Sequence, residues 1–154
     1  MAFRVTETIR RPRQHVWAAL TDWSSAPNWM KGVDELRPLD EGAVGEGTRL
    51  SAKARGTERE TIIVAWEPAE RLVLQSRQGG VTADYEYRFC DSVDGTQVTL
   101  HAECTGTGFR WRLAMPLIRF LMARADSGQL RDFKALVEDM AGSVPPAARN
   151  RRSA

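Results

Sequence analysis

Two kinds of hydrophobic periodicity divide the chain. From Phe3 to Ile9, apolar and polar positions alternate, as a first strand requires. Pro12 suits the first turn of a helix, where its missing N–H costs nothing, and Val16, Ala19, Leu20 and Trp23 carry helical spacing to about Asp22. Pro27, Asn28, Trp29 and Met30 predict a second, short helix that Gly32 ends. A second strand follows over Val33–Leu39, then a turn-rich link from Asp40 to Gly47, whose three glycines give it the freedom of a lid. Strands are predicted at Thr48–Arg55, Glu58–Trp66, Arg71–Arg77, Val81–Cys90 and Thr96–Thr105. The connections are short, which implies an antiparallel meander.

The last hairpin can be tested for internal consistency. If its turn centres on Val93 and Asp94, Phe89 lies opposite Val98, Tyr87 opposite Leu100, Tyr85 opposite Ala102, and Ala83 opposite Cys104. All of these pairs are apolar or aromatic. The other face pairs Arg88 with Thr99, Glu86 with His101 and Asp84 with Glu103. One register therefore gives both strands a dry face and a wet face. The like-charged pair Asp84 and Glu103 is tolerable on a solvated face. The same register sets Cys90 and Cys104 about seven residues apart along the strands, roughly 20 Å, well beyond the ~7 Å Cα limit of a disulfide. Both are expected to remain thiols.

After about Arg112 the period changes to that of a helix. Leu113, Leu117, Phe120, Leu121, Leu130, Phe133, Val137 and Met140 recur at three- and four-residue steps. Between Leu121 and Leu130 the residues are mostly small or polar. They permit either close packing on a sheet or room for a ligand. Seven strands and one long apolar-striped helix bury both apolar faces if a curved antiparallel sheet wraps around the helix. The fold class is thus α+β, with a domain over 1–141 and a short basic tail, 142–154.

Composition narrows the partners. The chain of 154 residues is 42% hydrophobic and 27% charged, the balance of an ordinary single domain. The formal net charge of +2 gives no concentrated basic face for nucleic acid. The most apolar stretch, Leu113–Ala123, contains Pro116 and Arg119, so stable membrane insertion is not expected. No targeting signal is read at the start of the chain, and the default location is the cytoplasm. Nothing in the sequence separates a monomer from a homodimer.

The chain resembles the START/SRPBCC superfamily, in particular its polyketide cyclase/dehydrase and lipid-transport branch. The resemblance rests on an ordered set of segments: Pro12 with Val16-Trp17-Ala18-Ala19-Leu20-Thr21-Asp22-Trp23 and Asn28-Trp29; Gly45-Glu46-Gly47-Thr48; Ala65-Trp66-Glu67-Pro68 with Arg71-Leu72; Tyr85-Glu86-Tyr87-Arg88-Phe89 with Gly95-Thr96-Gln97-Val98-Thr99; and Leu136-Val137-Glu138 near the end of the last helix. It covers residues 1 to 141 and implies the helix-grip fold. It says less about activity, because the superfamily sets carriers, receptors and cyclases on one scaffold.

Candidate chemistry is sparse. The only histidines, His15 and His101, both read as surface residues. There is no nucleophile triad, metal-ligand spacing or phosphate loop, so neither metal nor cofactor is expected. The polar groups on the inward face are the hydroxyls of Tyr85 and Tyr87, which pair within the core or meet a ligand. Arg124 lies near the helix stripe. It points to solvent, or holds an acidic group of the ligand. Glu58 and Glu60 share a parity with Trp66 that a bulge would reverse, and they are read as solvent-facing. Trp17 and Trp23 read as core anchors, while Trp29 and Met30 border the cavity entrance.

These residues lead to a binding or carrier protein for a small hydrophobic ligand, with Trp29, Met30, Trp66, Tyr85, Tyr87, Phe89, Leu100, Leu117, Phe120, Leu121 and Arg124 lining its site. The alternative is a cyclase or dehydratase in which Tyr85, Tyr87 or Arg124 polarises a substrate carbonyl. A third reading is a filled-core module that binds another protein through an exposed apolar patch.

Overall fold

The computed structural model describes residues 2–78, 80–109, 112 and 128–140. Seven strands form one antiparallel sheet: β1 (Ala2–Ile9), β2 (Val33–Pro38), β3 (Arg49–Ala54), β4 (Thr57–Glu67), β5 (Arg71–Gln78), β6 (Val81–Ser92) and β7 (Gly95–Gly106). Their order is β1-β7-β6-β5-β4-β3-β2. From β2 to β7 each strand pairs with the next in sequence, as the meander predicts. The exception is β1, which closes onto β7 through an eight-residue register from Ala2↔Glu103 to Ile9↔Thr96.

Two short helices separate β1 from β2. Helix α1 spans Arg13–Leu20, with Pro12 as its N-cap, and buries Val16 and Leu20. The second element differs from the expected helix over Pro27–Met30. It is a 3-10 helix over Trp23–Asn28, and Trp29 and Met30 follow it. Asp22 starts this turn early by accepting the Ser24 hydroxyl at 2.6 Å on its carboxylate and the Ser25 N–H at 3.0 Å on its carbonyl. At the other end the Ala26 carbonyl accepts the N–H groups of both Trp29 (3.2 Å) and Met30 (2.8 Å), which folds these two side chains into the core.

The β6–β7 hairpin has the predicted register throughout, from Ala83↔Cys104 to Phe89↔Val98, and a two-residue turn at Val93-Asp94. Tyr87, Phe89, Val98, Leu100, Ala102 and Cys104 are buried on one face. The Asp84↔Glu103 pair is present on the other, where Gln75 Nε2 donates to Asp84 at 2.8 Å. Cys90 is exposed, Cys104 is buried, and no disulfide joins them.

Strand β4 contains the irregularity that decides its facing. Its register with β5 shifts between Ile63 and Ala65, leaving Val64 as the extra residue of a bulge. Thr61 and Ile63 face inward before it. Trp66 faces inward after it, opposite Leu72. Glu58 and Glu60 fall on the outer side and are exposed, where Glu58 accepts from the Ser51 hydroxyl and Glu60 lies 4.0 Å from Arg49.

Of the expected long C-terminal helix, the described part is α2 (Gln129–Asp139), which buries Gln129, Leu130, Phe133 and Val137. Leu113, Leu117, Phe120, Leu121 and Arg124 lie outside the described residues, as does the tail. Met140, expected in the apolar stripe, stands just past the end of α2 and is exposed. Glu138 anchors that end: it accepts the Arg10 N–H on its side chain at 3.0 Å and Arg11 Nη2 on its carbonyl at 3.2 Å. The Asp40–Gly47 link is also tied down. Asp40 accepts the Arg49 backbone N–H at 2.8 Å, and Gly47 donates to the Ile63 carbonyl at 2.7 Å.

Candidate functional site

The inner face of the sheet carries aromatic rings because β6 turns Tyr85, Tyr87 and Phe89 inward by alternation and the β4 bulge turns Trp66 to the same side. Two groups result. In the first, Trp17 of α1 packs edge-on against Trp66 (centroids 4.9 Å apart) and Phe89 (5.5 Å), with Trp23 at 6.5 Å from Trp66. Trp66 reaches this group only because of the Val64 bulge. Trp17 and Trp66 are half-buried, while Trp23 and Phe89 are buried.

The second group lies under α2. Trp29, 2% exposed, stacks at a tilt on Phe133 with centroids 4.8 Å apart. One helical turn earlier, the Gln129 side chain accepts a hydrogen bond from the Tyr87 hydroxyl at 3.3 Å. Residues four apart share a face of a helix, so Gln129 and Phe133 look the same way. Tyr87 is thus a buried phenol held in direction by an amide. Tyr85 is half-buried on the same face of the sheet, two residues away, and Met30 and Leu100 are buried in the surrounding core.

Of the expected lining residues, Trp29, Met30, Trp66, Tyr85, Tyr87, Phe89 and Leu100 are thus all part of, or packed against, one hydrophobic cluster. Gln129 and Phe133 were absent from the expected site. Phe133 was legible as a stripe residue. Gln129 carried a weaker signal: a polar residue at the edge of the apolar stripe, whose burial depends on where α2 docks.

The outer face has the opposite chemistry. A depression of about 230 Å³ is lined by Arg71, Gln75, Asp84, Glu86, His101 and Glu103, together with Val64 and Val73. Glu86 accepts from Arg88 Nε and Arg71 Nε, each at 2.7 Å. The Arg88 hydrogen bond, joined by that of Arg71 and opposed by partial burial, holds the Glu86 carboxyl below the usual carboxylate range. His101 sits in this depression on the outer face and His15 is exposed on α1, as their surface reading requires. Among the described residues no group of three or more His, Cys, Asp or Glu side chains could hold a metal ion. No described helix is long and apolar enough to cross a membrane.

A seven-stranded antiparallel sheet curved over a C-terminal helix, with two short helices after its first strand, defines the helix-grip class. The family model for polyketide cyclase/dehydrase and lipid transport proteins matches residues 1–138, and the chain belongs to that family. Its structure is similar to the di-domain ARO/CYC StfQ from the steffimycin biosynthetic pathway, with a TM-score of 0.73, 14% identity and 92% of this chain covered. It is also similar to the di-domain ARO/CYC BexL from the BE-7585A biosynthetic pathway, with a TM-score of 0.70, 17% identity and 94% of this chain covered. In each case the match covers 51% of the di-domain protein. A third similar structure, TTHA0849 from Thermus thermophilus, has a TM-score of 0.67 and 20% identity, with 94% of this chain and 100% of that one covered. At these identities the likeness is one of fold. No curated protein matches the chain.

Proposed function

We propose that this protein binds and carries a small, largely apolar ligand between the inner face of its sheet and the C-terminal helix. The observation that carries the reading is the character of that inner face. Trp17, Trp66, Tyr85 and Phe89 present aromatic surface, and the polar groups among them are few and fixed in direction, as in the Tyr87–Gln129 hydrogen bond. Binding sites for small molecules combine this apolar wall with a few oriented polar groups. Leu117, Phe120, Leu121 and Arg124 are the further lining residues in this proposal. The family's own description, which joins lipid transport to cyclisation, supports a hydrophobic ligand in general terms.

A cyclase or dehydratase reaction is the second reading. Two observations favour it: the ARO/CYC structures of the same fold, and two tyrosine hydroxyls on an otherwise apolar face. In that case Tyr85, Tyr87 or Arg124 polarises a substrate carbonyl and stabilises the enolate formed from it, Tyr87 by turning its hydroxyl from Gln129 to the substrate.

Native mass spectrometry of the gently purified protein, with extraction of bound material, tests the first reading. A panel of fatty acids, isoprenoids and tricyclic aromatic ketones then follows by thermal shift. A ligand at ~100 times its Kd adds about 2.7 kcal/mol, which raises the Tm of a domain this size by about 5–11 °C. A clean apo mass together with no shift from any member of the panel would overturn the reading. Turnover of a bound ketone, abolished by Tyr85→Phe or Tyr87→Phe, would establish the second.

A further inference from the structure

Among the described residues, Trp29 Nε1 is the only buried side-chain nitrogen or oxygen without a hydrogen-bond partner. The residue is 2% exposed, so water does not satisfy it from outside. Indole nitrogen is a donor only, and a buried Trp usually finds an acceptor. Natural structures keep few orphaned polar groups, and those they keep tend to mark a functional role or an absent ligand or water.

The surroundings define what would complete it. The Trp29 ring is held by Phe133, 4.8 Å away. On the same face of α2, Gln129 Oε1 already accepts from the Tyr87 hydroxyl. Leu130, also on α2, and Met30 belong to the same buried hydrophobic cluster. The adjacent cation, Lys31, is turned away: its side chain is 67% exposed and lies 3.7 Å from Asp132. A lone N–H in an apolar, aromatic setting selects a neutral acceptor oxygen over an anion, because no described positive charge pairs with it there.

We propose that Trp29 Nε1–H is the polar recognition point of the ligand site, donating to a carbonyl or similar neutral oxygen on an otherwise apolar, ring-containing ligand. The proposal rests on the hydrophobic-ligand reading above and adds to it an oxygen at a defined atom. Trp29 then orients the ligand, while the aromatic walls supply its affinity.

Xanthone and xanthene test it, since they share one tricyclic skeleton and differ by a carbonyl in place of a methylene. The full chain, labelled with ¹⁵N-tryptophan, is titrated with each, and its indole N–H signals are followed, that of Trp29 being assigned by its loss in Trp29→Phe. Xanthone is expected to move the Trp29 N–H downfield and to bind about tenfold more tightly than xanthene, equivalent to about 1.4 kcal/mol. Trp29→Phe should abolish the preference, so that the variant binds xanthone no more tightly than it binds xanthene. Equal binding of the two probes, or an indole shift that is the same for both, overturns the proposal and leaves the carrier reading standing. Failure of both probes, together with the whole hydrophobic panel, overturns the two together. The preference for xanthone over xanthene is read on the native chain, so the proposal stays testable even if Trp29→Phe fails to fold.

Discussion

Replacing Gly95 with alanine strikes the junction that holds β1, the β6–β7 hairpin and α2 together. Gly95 pairs with Ser92 to close the hairpin turn and has φ +144°, which L side chains rarely adopt. A Cβ there would stand 2.2 Å from the Ile9 carbonyl oxygen, 2.8 Å from the Arg11 nitrogen and 3.0 Å from the Arg10 Cα. All three are backbone atoms, so no side chain can swing aside. The backbone they belong to is pinned in turn. Thr96 Oγ1 donates to the Arg11 carbonyl at 2.7 Å, and Arg10 N donates to Glu138 at 3.0 Å. Backbone strain costs about 1–3 kcal/mol. Losing one or two of these hydrogen bonds adds about 0.5–1.5 kcal/mol each. The expected destabilisation is therefore about 1.5–6 kcal/mol, or a Tm lower by about 3–24 °C for a domain of this size. Circular dichroism melts measure it, with Gly45→Ala as the control, because a Cβ there meets nothing within 4 Å and the backbone needs no positive φ. A Gly95→Ala protein that melts within about 2 °C of the Gly45→Ala control, a difference of less than about 1 kcal/mol, would refute the reasoning.

Phe133→Ala removes a ring that is 0% exposed and supports Trp29, so it should cost about 3–5 kcal/mol in a denaturant titration. Tyr87→Phe deletes the donor to Gln129 and should cost about 0.5–1.5 kcal/mol, with Gln129→Leu in the same background adding less than it does alone. Glu86 has its folded pKa lowered by Arg88 and Arg71, so its contribution is present above its unfolded value of 4.5 and is lost as pH falls through the depressed folded value. Melts at neutral pH should show Glu86→Gln less stable than the native chain by about 1 kcal/mol, a gap that narrows as the pH drops below that value. Cys90 is exposed and Cys104 buried, so a thiol reagent should modify one cysteine quickly in the native protein and the second only after unfolding.

Much of the candidate site was legible in advance. The alternation of Tyr85, Tyr87 and Phe89 against Val98, Leu100 and Ala102 has a single register that keeps both faces consistent, and the structure has it. Period-two patterning is strong evidence because a one-residue slip would expose every one of these side chains. Trp66 was harder. Simple alternation groups it with Glu58 and Glu60, and only the Val64 bulge, which no local residue preference announces, turns it toward Trp17. The 3-10 helix was misplaced for a related reason: the Asp22, Ser24 and Ser25 hydrogen bonds start the turn before Pro27 does.

By itself the sequence determined what depends on neighbours along the chain: the strands, their turns, the register of the last hairpin and the apolar stripe of α2. These follow from side-chain period and turn chemistry, which act over a few residues. The tertiary structure decided what depends on residues far apart. It closed β1 onto β7 across some ninety positions, as in the Thr6–Thr99 contact of 3.2 Å, and it docked Glu138 on Arg10 and Arg11. It also brought Gln129 to Tyr87 and left the Trp29 N–H buried without an acceptor among the described residues. Those pairings are fixed by the packing of sheet against helix, which no local pattern encodes, and the candidate site is made of them.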